Sequence, residues 1–318
     1  MHVQKLKKKK KRQKPKKTKQ KRKLRKKKMS KVVYDRNEDY IPRIAAVHDL
    51  CGYGKCSLGV AIPVLSAAGC DVCPVPTGIF SSHTAFPGWY MHDTTGILDD
   101  YLKAWEGIDV EIDAIYSGFL GDAKQVDVIE GLYKKYPNAV KFVDPVMADH
   151  GKVYPTYTPE LCDAMARLAG SADVLTPNLT EAAIILGEPI EDEWQGTDIT
   201  DKQAHEKVNK LLALGAKNVV LKGIQRAGES KIRNFVGGSE VEGIVEVNNE
   251  YVEYMLHGTG DVYASCVLAG VMKGKSLAES VEFAGNFVHD AMIVSGKQPH
   301  FMERGVSFET LIGKICAF

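Results

Sequence analysis

The sequence predicts an α/β fold with a mostly parallel central sheet and helices on both of its faces. Between residues 43 and 270, short apolar runs typical of buried strands alternate with longer segments that have helical periodicity. Strands that alternate with helices join into a parallel sheet, because each helix returns the chain across one face. The sequence has no evident internal repeat, and 318 residues suffice for one large domain or two small ones.

Charge divides the chain near residue 28. Residues 1–28 contain 18 of the 42 Lys and Arg residues and no acidic residue, so the other 290 residues carry a net charge of −16. A run of like charges with almost nothing apolar predicts a disordered basic tail over 1–28 and a folded domain over 29–318. Nucleic acid is expected to bind only through phosphate contacts of this tail. An alternative is that the natural chain starts at Met29.

Apolar runs and cysteines indicate a cytoplasmic protein. No apolar run approaches the roughly 20 residues of a membrane span, and residues 1–28 lack a secretory apolar region. Seven cysteines at irregular spacing do not indicate a disulfide framework.

The first βα unit begins with a strand at Arg43–His48, and its helix runs to about Ala68. The turn between them fits neither common phosphate motif, because Ser57 replaces the third glycine of the dinucleotide fingerprint and Cys56 follows Lys55 where a P-loop needs Ser or Thr. This turn is therefore a ligand loop of another type or a tight connection. Asp49, at the carboxyl end of the strand, is well placed to contact a ligand.

The later elements follow the same alternation. A hydroxyl-rich extended piece at residues 79–84 contains His83, which is either a ligand or base or a structural residue that holds a loop. Strands are predicted at Val72–Pro76, Ala114–Phe119, Ala139–Val143, Ala172–Leu175 and Asn218–Leu221, with a hairpin of Ile232–Val236 and Val241–Val247. Helices are predicted at Gly96–Trp105, from residue 123 to about Tyr133, Thr158–Leu168, from Asn178, Thr200–Leu214, after Gly258–Asp261, and Leu277–Val294.

Polar residues occur where several of these elements meet. Asp144 follows a strand and precedes a proline, Lys222 follows another strand, and Asn178 with Glu181 matches a helix-capping pair. Each has a structural interpretation as a turn or cap residue. However, the carboxyl ends of parallel strands lie at one edge of a sheet, so these groups and Asp49 should converge there.

The stretch Gly258-Thr259-Gly260-Asp261 precedes a run of small and apolar residues that predicts a buried helix. Two glycines allow a tight turn, and the free amides of the first helical turn suit an anion. Asp261 then either complements the helix dipole or takes a proton from an attacking hydroxyl.

Taken together, these groups suggest phosphoryl transfer from a nucleotide. Asp144 and Glu181 would hold Mg²⁺ directly or through water, and Lys222 would contact phosphate oxygens. The amides of Gly258–Gly260 would stabilise the transferred group, and Asp261 would act on the acceptor hydroxyl. In this positive field, we expect the pKa of Asp261 to be ordinary or depressed.

The ordered set of motifs resembles the ribokinase-like kinases, and within them it is similar to the pyridoxal/pyridoxamine kinases. The resemblance covers about residues 43–295. It is carried by the Gly258–Asp261 turn and the Asn178–Glu181 pair, and by the segments Asp49–Leu58, Ser81–Thr84, Ser117–Asp122, Asp144–Met147 and Thr176–Glu181.

The resemblance implies MgATP-dependent phosphorylation of the 5′-hydroxymethyl group of a vitamin B6 vitamer by a homodimer, and it leaves a monovalent-cation requirement open. Asp261 would be the base, and the anion hole would be formed by Gly258, Thr259 and Gly260. The nucleotide or its metal would contact Asp144, Thr176, Asn178, Glu181 and Lys222, with Glu246–Asn249 near the adenosine. The pyridine substrate would contact Asp49, Ser81 and Thr84, with Phe119 near its ring.

Two positions depart from the family pattern. Many relatives have serine where Asp49 stands and tyrosine where Phe119 stands, so the contacts to the ring and the vitamer preference are open. A hydroxymethylpyrimidine kinase of the same superfamily is the nearest alternative, because it needs the same donor site. A more distant alternative is an RNA-binding protein that acts through residues 1–28.

Overall fold

Helices and strands are described here from a computed structural model, which describes residues 32–37, 39–190 and 199–318. The predicted disorder of residues 1–28 and the boundary at residue 28 lie outside these residues and stay predictions. The described helices and strands all lie in the unit Val32–Phe318.

The described residues contain eleven strands and ten α-helices. The strands are β1 (Arg43–Tyr53), β2 (Asp71–Ser82), β3 (Met91–Asp93), β4 (Ala114–Ser117), β5 (Val140–Val143), β6 (Ala148–Asp149), β7 (Lys152–Val153), β8 (Val174–Leu175), β9 (Asn218–Gln225), β10 (Lys231–Gly238) and β11 (Ile244–Glu250). The helices are α1 (Leu58–Ala67), α2 (Thr95–Ala104), α3 (Lys124–Lys135), α4 (Pro159–Ala169), α5 (Leu179–Leu186), α6 (Asp201–Ala213), α7 (Thr259–Met272), α8 (Leu277–Ser295), α9 (Phe301–Arg304) and α10 (Ile312–Ala317).

Nine strands form one sheet in the order β11-β10-β9-β8-β5-β4-β1-β2-β3. The six strands from β9 to β2 in this order pair in parallel, whereas β3 at one edge and the β10–β11 hairpin at the other pair antiparallel. The predicted α/β class with a mostly parallel sheet is therefore confirmed. The carboxyl ends of the parallel strands share one edge, where the polar residues collect.

Two apolar clusters cover the two faces of the sheet. One contains buried side chains of α2 to α6, such as Leu98, Ile129 and Leu161. The other contains buried side chains of α1, α7 and α8, such as Val64 and Val267. Each fully buried aliphatic side chain of this kind stabilises the fold by about 1.5–3 kcal/mol, so both layers of helices are held mainly by apolar burial.

β1 and β2 are each at least five residues longer than the local pattern predicted. β1 does not end at His48 but continues to Tyr53, with a register irregularity between His48 and Leu50. β2 includes most of the piece predicted separately at residues 79–84. The extensions pair with each other, and β3 pairs with β2. This pairing joins distant parts of the chain, so periodicity within either segment cannot reveal it.

Local signals placed the helix starts well. Side-chain capping boxes begin α5 at Asn178 and α6 at Thr200, as the sequence predicted. Ser276 begins α8 in the same way. These caps satisfy backbone N–H groups that would otherwise lack partners.

Within the described ranges, none of the helices has the length and apolar character needed to cross a membrane.

Candidate active site

The start of α7 is packed against the β1–α1 loop. Gly258 has φ of +82°, and a Cβ built on it would lie 1.9 Å from the carbonyl oxygen of Lys55. Only glycine fits both the left-handed backbone and this close approach. No side chain caps this helix start among the described residues, and a Cβ on Gly260 would meet open space. The positive end of the helix dipole therefore faces a space that suits an anion.

Asp261 lies in the first turn of α7, where the residue is half-buried and its Oδ1 is buried. Its pKa is raised to about 7, mainly by burial and also by the negative charges of Asp144 and Asp49, although the Ser57 backbone N–H and Lys222 oppose the shift. The expectation of an ordinary or depressed pKa was wrong, because desolvation outweighs the helix dipole. A carboxyl group with a pKa near neutrality is well matched to accepting a proton.

Asp144, directly after β5, is the centre of a buried polar group. Its Oδ1 accepts a hydrogen bond of 2.8 Å from the Thr176 hydroxyl and forms an ion pair with Lys222. Its Oδ2 is buried without a hydrogen-bond partner among the described residues. Three groups predicted to bind the nucleotide are thus brought together.

The sequence predicted that Lys222 follows the strand, but it lies inside β9. The hairpin with β10 extends β9 to Gln225. Burial alone would lower the pKa of Lys222, but the carboxylates of Asp144 and Glu181 outweigh it and the net pKa is raised. The ammonium group is therefore charged at neutral pH.

Asn178 and Glu181 form the capping box of α5. The Asn178 backbone N–H donates to Glu181 Oε2, and the Glu181 backbone N–H donates to Asn178 Oδ1, each at 2.8 Å. The Asn178 amide also donates to the Ala148 carbonyl at 2.9 Å. The structural role of Asn178 is therefore confirmed, and its contact with a nucleotide stays a prediction. Burial raises the pKa of Glu181 well above its ordinary value, although Lys222 opposes this shift.

The donor set is compatible with Mg²⁺ that arrives with a nucleotide. Among the described residues, no three or more His, Cys, Asp or Glu side chains form a group that could hold a metal by themselves. Mg²⁺ commonly uses one or two carboxylates together with substrate phosphates. The unpartnered Oδ2 of Asp144 offers one such oxygen, and electrostatic coupling places Glu181 near it.

Asp49 forms the other side of the site. It is 5% exposed, and burial raises its pKa to about 6, although a hydrogen bond from the Ser57 hydroxyl opposes this shift. The negative charge of Asp49 raises the pKa of Asp261. Asp49, predicted to bind the substrate, and Asp261, predicted to be the base, are therefore close enough to interact.

Ser57 was not predicted as a site residue. It is buried and adopts φ of +50° and ψ of −126°, a strained conformation for a residue other than glycine. Its hydroxyl lowers the pKa of Asp49 and its backbone N–H lowers the pKa of Asp261, so Ser57 lies beside both carboxylates. In the sequence, a serine directly before a helix indicates an ordinary N-cap. No sequence signal reveals that Ser57 has a positive φ.

The remaining predicted substrate contacts vary in their surroundings. Phe119 is buried with its ring 5.6 Å from Phe80 and 5.8 Å from Tyr157. Ser81 and Thr84 are exposed, and the Ser81 hydroxyl accepts a hydrogen bond from the Tyr90 backbone. Phe119 thus belongs to an aromatic wall, whereas contacts of Ser81 and Thr84 with a substrate stay predictions.

The structure favours the structural interpretation of His83. Its Nδ1 accepts a hydrogen bond from the Ala85 N–H, so its Nε2 is assigned as the donor to the Glu303 carbonyl at 2.8 Å. Its ring stacks on His257 with 4.5 Å between centroids. Because His257 directly precedes Gly258, this stack places the segment around His83 beside the glycine turn.

The segment proposed near the adenosine lies in β11. Glu246 pairs with Arg233 at 3.0 Å, and the buried Asn249 bonds Asn234 and Asn286. These contacts hold the hairpin against α8, and a role at the adenosine stays a prediction.

The chain is similar in sequence and fold to known kinases. The sequence profile of the phosphomethylpyrimidine kinase family matches residues 65–304. Pyridoxal kinase PdxY of Actinobacillus pleuropneumoniae is 30% identical over 261 residues, which cover 76% of this chain and 85% of that protein.

Two solved structures share the fold. A Bacteroides thetaiotaomicron protein, described as a phosphomethylpyrimidine kinase and crystallised with pyridoxal, is 31% identical with a TM-score of 0.81 and covers 87% of this chain and 96% of its own. Pyridoxal kinase of Leishmania donovani, in complex with ADP and pyridoxamine, is 20% identical with a TM-score of 0.72 and covers 86% and 95%. The second likeness concerns the fold alone.

Proposed function

Because the chain belongs to the phosphomethylpyrimidine kinase family and is similar to curated pyridoxal kinases, we propose that it transfers a phosphoryl group from ATP to the 5′-hydroxymethyl group of a vitamin B6 vitamer. One observation carries the proposal most directly. Asp261 is half-buried at the uncapped start of α7, and its buried Oδ1 has no hydrogen-bond partner among the described residues. Its carboxylate interacts electrostatically with Asp144, Asp49 and Lys222.

In the proposed reaction, Asp261 takes the proton of the hydroxymethyl group as its oxygen attacks the terminal phosphorus of ATP. The free amides at Gly258, Thr259 and Gly260 donate to the oxygens of the transferred group, where negative charge develops. Lys222, kept charged by its carboxylate neighbours, binds phosphate oxygens.

Asp144 and Glu181 are proposed to hold Mg²⁺, with the nucleotide completing its coordination. The ion would neutralise phosphate charge. The Thr176 hydroxyl donates to Oδ1 of Asp144, so Oδ2 is the oxygen that would bind the metal.

The acceptor pocket is proposed between Asp49, Phe119 and the exposed hydroxyls of Ser81 and Thr84. Asp49 has a raised pKa and can donate to or accept from a ring substituent, and Phe119 supplies an aromatic surface for the pyridine. Because Asp49 and Phe119 depart from the family pattern, the vitamer preference is a matter for experiment.

A homodimer in the cytoplasm is also proposed. Leu50 and Ile79 pair across the extensions of β1 and β2, and both are exposed, with exposed Tyr53 and Tyr90 nearby in the chain. Such an apolar patch at a sheet extension is suited to burial against a second copy. All seven cysteines are free thiols, which suits a reducing compartment.

The test is a coupled ADP-release assay with MgATP and four acceptors: pyridoxal, pyridoxine, pyridoxamine and hydroxymethylpyrimidine. Turnover of at least one B6 vitamer, with a kcat/KM above that for the pyrimidine, is expected. Turnover of the pyrimidine alone would instead favour the second candidate, which the family match and the description of the Bacteroides protein support.

A further inference from the structure

Residues 303–309, which we call the C-terminal brace, contact three separate loops around the glycine turn at the start of α7. The profile of the matched family ends at residue 304, so most of the brace lies beyond it. Two of the contacts are hydrogen bonds of 2.8 and 3.0 Å, and the third is an ion pair. One short segment thus joins distant parts of the chain, through the pairs His83–Glu303, His257–Val306 and Lys55–Glu309.

His83 is the buried side chain in this arrangement, with 6% of the residue exposed. Its ring lies 4.5 Å from the ring of His257, with 25° between the two planes. A Cβ built on Gly54 would clash with the His83 ring, and Gly54 has φ of +113°, so this position requires glycine. The His83 backbone N–H donates to the Tyr53 carbonyl at 3.1 Å. The His83 ring is therefore fixed, and it supports the exposed His257.

Both ring nitrogens of His83 are used inside the protein. Nδ1 accepts a hydrogen bond of 3.3 Å from the Ala85 N–H, and Nε2 donates to the Glu303 carbonyl at 2.8 Å. The ring also lies 4.5 Å from the ring of Phe86. An imidazole with both nitrogens bonded to backbone groups has no free donor or acceptor for a substrate. His83 must therefore act through its neighbours.

His257 connects this ring to the glycine turn, because it directly precedes Gly258. The Val306 N–H holds the His257 carbonyl oxygen, and no side chain among the described residues caps the start of α7. Donors to a developing charge must lie about 2.7–3.1 Å from the oxygen that they stabilise. A misplacement of about 1 Å can lower a rate about 10²-fold. The direction of the free amides thus depends on how His257 is held.

We propose that His83 is a positioning residue for phosphoryl transfer: together with the C-terminal brace, it holds His257 so that the free amides of Gly258–Gly260 face the transferred group. In this role His83 contacts neither the substrate nor the reacting atoms. The inference rests on the proposed kinase, because the anion hole is part of that proposal. Since these amides stabilise charge that develops in the transition state, loss of the stack should lower kcat and leave KM largely unchanged.

Steady-state kinetics of His83→Ala, which removes the ring and its bond to Glu303, test this role. With MgATP and the preferred vitamer, kcat should fall by about 10–100-fold while both KM values change by less than about threefold. His257→Ala removes the same stack from the other side and should lower kcat to a similar extent, so the test stands if one variant does not fold. A raised KM for the vitamer with unchanged kcat would place His83 in the acceptor pocket and overturn the proposal.

Two further comparisons separate positioning from a merely structural role. His83→Gln can still donate to the Glu303 carbonyl and place a planar amide over His257, so its kcat should lie within about threefold of the unchanged protein. The double variant His83→Ala/His257→Ala should have a kcat within about twofold of either single variant, because both changes remove one stack. Additive losses in the double variant, or no recovery in His83→Gln, would contradict positioning through the stack.

His205→Ala is the matched control. The His205 ring also packs on an aromatic ring of another element, with 5.4 Å between its centroid and that of Phe235, but α6 carries no residue of the proposed site. Its kcat and KM should equal those of the unchanged protein. An equal loss of kcat in this variant would show that any lost imidazole contact lowers turnover, which would remove the specific role of His83.

Hydrogen exchange separates failure of this inference from failure of the proposed kinase. Val306 is buried and its N–H is bonded to the His257 carbonyl, so this amide should exchange at least about tenfold faster in His83→Ala. Mass spectrometry of peptides that contain Val306 measures the change. If the unchanged protein turns over no acceptor, the proposed kinase fails, and faster exchange still supports the contact of His83 with the brace. Unchanged exchange in both His83→Ala and His257→Ala would reject the inference, whatever the kinase activity.

Discussion

The site has a donor side, proposed for the nucleotide and built from Asp144, Glu181 and Lys222, and an acceptor side, proposed for the alcohol and built around Asp49. The two sides are built differently. On the donor side, Oδ1 of Asp144 is paired with Thr176 and Lys222, and Glu181 is held in a capping box. On the acceptor side, Asp49 is desolvated with little compensation, and the loop beside it contains the strained Ser57.

The difference shows how one sheet edge can hold two kinds of chemistry. On the donor side, Lys222 is kept charged by its carboxylate neighbours, because an unpaired buried charge would be costly. On the acceptor side, burial raises the pKa values of Asp49 and Asp261 towards neutral pH, which suits proton exchange with an alcohol. Asp261 lies between these sides and interacts with carboxylates from both.

The largest expected effect separates chemistry from binding at Asp261. Asp261→Asn keeps the shape but cannot accept the proton, so kcat should fall by about 10²–10⁴ while the KM for ATP changes little. Steady-state kinetics with the preferred vitamer measure both. Asp127→Asn, at a surface position on α3, is a matched control that should keep normal turnover. Near-normal kcat in Asp261→Asn would remove the role of general base.

The next effect tests whether the donor side depends on its ion pair. Lys222→Met leaves Asp144 buried and unpaired, so the free energy of unfolding should fall by about 3–5 kcal/mol. Adding Asp144→Asn should restore part of that loss, since the uncompensated charge is gone. Urea unfolding of both single variants and the double variant measures the coupling, and additive losses would contradict a paired donor side.

A smaller effect tests the strain on the acceptor side. Burial raises the pKa of Asp49 from its ordinary value of 3.8 to about 6, so its contribution to stability is present below pH 3.8 and is lost as pH rises to 6. The Asp49→Asn variant has no charge to desolvate, so its free energy of unfolding should not fall in this way. The difference in stability between the variant and the unchanged protein should therefore grow by about 3 kcal/mol from pH 4 to pH 8, in favour of the variant. Thermal melts across this range check the slope, and a gap that does not change with pH would show that Asp49 is not destabilised by desolvation.

The smallest effect concerns residues outside both sides. Deleting residues 1–28 should leave kcat and KM unchanged, because the site residues all lie in the folded unit, and should remove any RNA binding. Fluorescence anisotropy with a labelled RNA at low salt, beside the kinase assay, measures both. Retained RNA binding after deletion would place a nucleic-acid surface on the acidic body.

Sequence patterns alone predicted the fold class and several residues of the candidate site. Alternating apolar runs predicted the parallel sheet, capping pairs predicted the starts of α5 and α6, and strand ends pointed to Asp49 and Asp144. These features are local, because periodicity, caps and turn residues act over a few positions.

Tertiary structure alone decided the state of those groups. The raised pKa of Asp261, the place of Lys222 inside β9 and the strained backbone of Ser57 all depend on what distant elements pack around them. Desolvation and hydrogen bonding between remote segments have no local pattern. The sequence therefore determined which groups reach the sheet edge, and only packing determined their charge and their neighbours.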